Sequence, residues 1–148
     1  MISEKYANEI YNSILKTLDE NYDMTYSDHI LQLGKKLFKE KFHGVYPSDH
    51  IPVLTKEKPY AILNLDKSTE SGSHWVAIAK VNDETYIYDS FGRKNQQIIP
   101  SLSKSGNGTI EDTDRDAEQK INELNCGNRS VAFLLLLDRF GINYAKLI

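Results

Sequence analysis

Apolar positions follow a helical period at the start of the chain and crowd into short dense runs further on. Tyr6, Ile10, Ile14 and Leu18 recur every four residues, flanked by Ala7, Tyr11 and Leu15. That spacing predicts a helix over residues 4–20 with one broad core-packing face, and Ser3 stands where its N-cap belongs. Asn21-Tyr22-Asp23-Met24 breaks the pattern. Thr25 or Ser27 then caps a second helix running to about Glu40, with Ile30, Leu33, Leu37 and Phe38 facing inward. His29 falls in its first turn, where a solvated or capping imidazole accounts for it. Between Phe42 and Pro59 the punctuation by Gly44, Pro47, Pro52 and Pro59 predicts irregular chain. Strand signals follow: Tyr60 to Leu65, a polar loop from Asp66 to Ser73, then His74 to Val81, which a turn at Asn82-Asp83-Glu84 pairs back with Thr85 to Asp89 as a hairpin.

The last third is dominated by one helix. Val131 to Leu137 is a run of seven apolar residues, which predicts a helix greasy on every side and therefore buried. Asp138-Arg139-Phe140 ends it, with Gly141 as the C′ glycine. Before it, Ser90-Phe91-Gly92 closes the hairpin, and Asn95 to Leu102 suits a short helix interrupted by Pro100. Ser103 to Asp116 reads as a long surface loop, and Ala117 to Leu124 as the approach to the helix. Ile142 to Ile148 suits a terminal strand or an extended tail. Together these elements predict an α+β fold: a small, mostly antiparallel central sheet packed against the buried helix and the two N-terminal helices.

Composition narrows the function classes. A chain of 148 residues with 40% hydrophobic and 26% charged residues is a single globular domain of ordinary make-up. A single cysteine leaves no intramolecular disulfide and no cysteine-rich zinc site, so a reducing compartment is expected. No apolar run approaches the roughly 20 residues needed to span a bilayer, and the N-terminal residues do not make a signal peptide, so the expected place is inside a cell or particle. A net charge of −3 argues against a nucleic-acid-binding surface. Glu111, Asp112, Asp114 and Asp116 form either a solvated loop face or a lure for a basic substrate.

The single cysteine, Cys126, opens the apolar helix and is followed at once by Gly127. A thiol in a first helical turn faces unpaired N–H groups and the positive dipole end, which favour thiolate. A cysteine hydrolase further needs a base, a group orienting that base, and donors for the oxyanion. His74 opens one strand of the hairpin and Asp89 closes the other. In an antiparallel pair the start of one strand neighbours the end of the next, so these two can touch across fifteen positions. Gln119, seven residues before Cys126, can bring an amide to the oxyanion beside the Cys126 N–H. Each residue has a plainer reading. Cys126 is a small core residue, His74 a structural histidine, Asp89 a turn former, Gln119 a surface glutamine and Trp75 core. His29, His43 and His50 share no recognisable spacing.

Taken in order, Ser73-His74-Trp75, Tyr88-Asp89-Ser90-Phe91-Gly92, Gln119 and Asn125-Cys126-Gly127 resemble the adenain family, the maturation proteases of adenoviruses. That family belongs to the wider clan of ubiquitin-like-protein-specific cysteine proteases. The resemblance spans roughly Leu33 to Leu137 and includes Phe42-His43-Gly44 ahead of the first strand. It implies Cys126 as nucleophile, His74 as base and acid, Asp89 as orienting carboxylate, Gln119 in the oxyanion hole, and Trp75 along a narrow groove selecting small residues such as glycine. It also implies a thiol endopeptidase acting on capsid or scaffold precursor proteins in the virion and host cell interior, with no metal or organic cofactor. There are departures. Asp89 stands where adenain has glutamate, although other proteases of the clan use aspartate there. Adenain's peptide activator joins through a second cysteine and its DNA cofactor meets a basic protein; this chain has one cysteine and is mildly acidic, so neither activator is carried over. Its compactness resembles the proteases of virophages and Polinton-type elements. Two alternatives stand beside this reading: a deconjugase or effector acyltransferase of the same clan, and a non-enzymatic α+β binding module.

Overall fold

The computed structural model describes residues 3–22, 27–65, 74–90, 102, 104–113 and 126–148. Helix α1 spans Glu4–Asn21 and α2 spans Ser27–Phe38, followed by a single 3-10 turn at Lys39–Lys41. Strands β1 (Phe42–Pro47), β2 (Tyr60–Asn64), β3 (Trp75–Val81), β4 (Glu84–Tyr88) and β5 (Ile110–Asp112) come next, then α3 (Cys126–Phe140) and the short α4 (Ile142–Ala145). The five strands form one sheet in sequence order. Its middle is antiparallel, β2 against β3 and β3 against β4, while β1 joins β2 and β5 joins β4 in parallel. The α+β class expected from the sequence is therefore present, with parallel pairs at both edges.

Alternation along the strands divides the core in two. Tyr60, Ile62, Trp75, Ala77, Ala79 and Tyr88 face α1, α2 and α3. Ala61, Leu63, Val76, Ile78 and Ile87 face the other way and pack with Leu54, Leu102 and Ile110. Both faces are covered, which is why β2 and β3 read as nearly unbroken apolar runs rather than alternating ones. On the second face, Asn107 stitches the covering loop in place: its Oδ1 accepts from the Leu54 N–H at 2.8 Å and its Nδ2 donates to the Pro52 carbonyl at 2.9 Å.

Helix α3 is the centre of the first face. It packs against α1, α2, α4 and β3, and nearly all of it from Cys126 to Leu137 is buried. Its Phe133 stacks on Tyr88 of β4, with centroids 4.6 Å apart and planes 4° from parallel. The Tyr88 hydroxyl in turn hydrogen-bonds that of Tyr11 in α1 at 2.7 Å. One helix, one strand end and a second helix are thus tied through three fully buried aromatic rings.

Three expectations about the connections are corrected. Phe42–Pro47, expected as irregular chain, is a strand; its glycine and proline are tolerated because it lies at the sheet edge and carries a register shift between Phe42 and Gly44. Ile110–Asp112, expected inside a surface loop, pairs with Thr85–Ile87, anchored by Ile110. The C-terminal residues form a helical turn at Ile142–Ala145, not a strand: Gly141, at φ 93°, closes α3 and lets the chain start a new turn. The short helix expected over Asn95 to Leu102 lies outside the described residues, Leu102 excepted. Among the described residues, no helix is long and apolar enough to cross a membrane.

Candidate active site

His74 lies one residue before β3 and Asp89 one residue after β4. The tight turn at Asn82 and Asp83, with Asn82 at φ 57°, fixes the hairpin register so that Ala77 pairs with Tyr88 and the two flanking residues come together. His74 Nε2 donates to Asp89 Oδ1 at 2.8 Å. Both side chains are nearly out of solvent, at 9% and 1% exposure, so the interaction is little screened. With Nε2 engaged, Nδ1 is the nitrogen left for the other partner of the ring, the Cys126 thiol, with which His74 is hydrogen-bonded.

Cys126 is the first residue of α3. Its own N–H is one of the first-turn donors that have no acceptor within the helix. The sulfur receives hydrogen bonds from the main-chain N–H groups of Trp75 and Gly127 as well as from His74. Burial alone pushes the thiol up. The bonds from His74 and Trp75, the imidazolium charge and the Gly127 N–H outweigh it and hold the thiol below its ordinary range. His74 moves the opposite way: burial pushes it down, but hydrogen bonds to Asp89 and Cys126 and the charges of both lift it above the ordinary imidazole range. The two shifts favour the same state, a thiolate beside an imidazolium whose far side is held by a carboxylate.

The structure thus brings together Cys126, His74 and Asp89, from the start of a helix and the two open ends of a hairpin. Gln119 lies outside the described residues, as do Asn125, residues 66–73 and residues 91–101. Trp75 is 6% exposed and packs in the helix-side core, so its side chain is placed as a core residue and offers little surface for a groove. Among the described residues, no cluster of three or more His, Cys, Asp or Glu side chains is arranged to hold a metal ion. His43 hydrogen-bonds the Tyr46 hydroxyl through Nδ1 at 2.8 Å. A cleft of about 550 Å³ between Lys41, Lys56, Tyr60, Lys80, Leu137 and Ile142 lies at the far end of α3, roughly 16 Å along the helix from the sulfur.

Two features at the site escape a reading of the sequence. Ser130, 1% exposed, donates to the carbonyls of Cys126 at 2.8 Å and Trp75 at 3.2 Å. Its only sequence signal is a lone hydroxyl one turn beyond the cysteine, at the edge of the apolar run. The second is the Tyr11–Tyr88–Phe133 cluster that ends next to Asp89 in sequence, with Phe133 stacked on Tyr88 and Tyr11 edge-on to it; each ring looks like any other core aromatic. The chain matches no protein-family model and no curated protein.

Proposed function

We propose that this chain is a cysteine endopeptidase working by acyl transfer. The observation that carries the reading is His74 held between the Cys126 thiol and the Asp89 carboxylate, with the thiol lowered and the imidazole raised. A buried core cysteine has no use for such a surrounding, whereas a nucleophile depends on it. The Cys126 thiolate attacks the scissile carbonyl carbon, and the oxygen that becomes negative is received by the Cys126 N–H and, by resemblance, the Gln119 amide. The His74 imidazolium gives its proton to the departing amine, leaving a thioester on Cys126. His74 then takes a proton from water, the hydroxide adds to the thioester, and the acid is released with the thiol restored. Asp89 keeps the ring in the tautomer that presents Nδ1 to the sulfur. The substrates we propose are viral capsid or scaffold precursor proteins cut at glycine-containing sites within the virion or host cell.

The test is cleavage of glycine-containing precursor peptides by the wild-type chain and by Cys126→Ala. Cleavage is expected from the first alone, with circular dichroism unchanged between them. Retained cleavage by Cys126→Ala would sink the mechanism.

A further inference from the structure

The main chain at Trp75 occupies an unusual place in the sheet. Leu65 N–H donates to the His74 carbonyl at 2.9 Å and Lys80 N–H to the Pro59 carbonyl at 2.8 Å. Even-numbered residues from 74 to 80 therefore turn their main-chain groups toward β2, and odd-numbered ones toward β4. Ala77 uses its groups in the last β3–β4 pair, with Tyr88. Trp75 lies two residues further on, where the next rung of that ladder would fall, and α3 arrives there. The Trp75 carbonyl accepts from Ser130 Oγ at 3.2 Å, and the Trp75 N–H reaches the Cys126 sulfur.

Ser130 sits one turn along α3 from the nucleophile and shares its proton between the Trp75 carbonyl and the Cys126 carbonyl, 2.8 Å away. A serine that bonds only the carbonyl four residues back is common in helices and has a local role. Here the same hydroxyl also crosses to the strand that carries the base. It ties the start of α3 to the Trp75–Val76 peptide of that strand, one residue after His74.

We propose that Ser130 is a positioning residue for Cys126: its hydroxyl takes the place of the missing β3–β4 rung at the Trp75 carbonyl, binds the Cys126 carbonyl as well, and so holds the start of α3 against the strand end that carries Trp75 and His74. The proposal rests on the reading of Cys126 and His74 as a catalytic pair, and its test separates the two. The rate of Cys126 alkylation by iodoacetamide is followed from pH 4 to 10 in wild type, His74→Ala, Ser130→Ala and Ser130→Thr, with circular dichroism and thermal melting as controls. In Ser130→Ala the midpoint for thiolate formation is expected to rise by roughly half to one pH unit, a part of what one hydrogen bond to an ionised group sustains. Ser130→Thr, which keeps the hydroxyl, is expected to restore it.

An unchanged midpoint in a folded Ser130→Ala overturns the proposal, even if its melting temperature drops, because a packing role alone leaves the titration where it was. If His74→Ala leaves the wild-type midpoint unmoved, the catalytic pair itself fails. A measurement on the wild type makes the proposal independent of how the variants fold. The Trp75 amide proton shift is expected to titrate with the same midpoint as Cys126, and an amide that ignores that titration overturns the proposal.

Discussion

Replacing Asp89 by asparagine removes one charge while keeping the volume and an oxygen that can still accept from Nε2. Asp89 Oδ1 lies 2.8 Å from His74 Nε2, and both side chains are almost fully buried. With charge centres about 4 Å apart and an effective dielectric of about 20, the attraction between carboxylate and imidazolium is ~4 kcal/mol. That corresponds to about three pH units at 1.36 kcal/mol each, an upper bound because water and neighbouring dipoles take up part of the lost field. A rise of about one to two units in the midpoint for thiolate formation follows. The sign is fixed by linkage within the pair. The thiolate forms by passing its proton to His74, so weakening the imidazolium raises the pH at which thiolate appears. Below that midpoint the alkylation rate is proportional to the thiolate fraction, so at a pH one to two units under it the variant should react about 10- to 100-fold more slowly than wild type. The assay is iodoacetamide alkylation of the single thiol across pH 4–10, with circular dichroism to establish the fold. A folded Asp89→Asn variant with the wild-type midpoint would show that the carboxylate does not act on the thiol through His74.

Three further outcomes are expected. Gln119→Ala should lower the rate of peptide cleavage by about 10²–10³ with thiol alkylation unchanged, since its proposed amide meets only the oxyanion; a near-normal rate would leave the backbone donor acting alone. Phe133→Ala removes a fully buried ring stacked on Tyr88 and should destabilise the fold by roughly 3–5 kcal/mol in urea titration. Gly34→Ala places a methyl group against the Phe42 ring, which packs on α2 and cannot swing away cheaply, so a loss of about 1–3 kcal/mol is expected in the same titration; a neutral effect would mean that the ring yields.

How much of this was legible in the sequence differs by element, for physical reasons. The apolar period of α1 and the unbroken run of α3 were clear because each is long and buries most of its residues; α3 begins at Cys126 and ends at Phe140, where the cysteine, the Asp-Arg pair and Gly141 place its ends. The hairpin was clear because a short polar turn at Asn82-Asp83-Glu84 separates two apolar runs, although Glu84 proves to be the first residue of β4, and from it the meeting of His74 and Asp89 could be argued. β1 was hidden because an edge strand can hold a glycine and a proline that would forbid a central one, so the same residues that mark a loop were read as one. β5 was hidden by its brevity: three residues with one buried side chain carry no period. Ser130 could not be found because its role depends on which strand the helix start meets, and that depends on the whole packing of the first face.

The location of the site follows from where the sheet stops. Within β3 and β4, Trp75, Ala77 and Tyr88 point toward α3, while Val76, Ile78 and Ile87 point away. If both strands continued in register, alternation would send His74 after Val76 and Asp89 after Ile87, to the face remote from Cys126. Both residues lie one position outside their strands, where the pleat no longer dictates direction, and so both can turn to the start of the helix. The sheet forgoes a rung at Trp75, and the groups freed there are taken up by Cys126 and Ser130. An extra pair of hydrogen bonds between β3 and β4 would therefore add to the sheet and remove the site. It would turn His74 away from the sulfur and withdraw the Trp75 N–H from the thiolate. The end of the ladder is the structural condition for the chemistry proposed, and that explains why the residues around it are so deeply buried for a segment that has left regular structure.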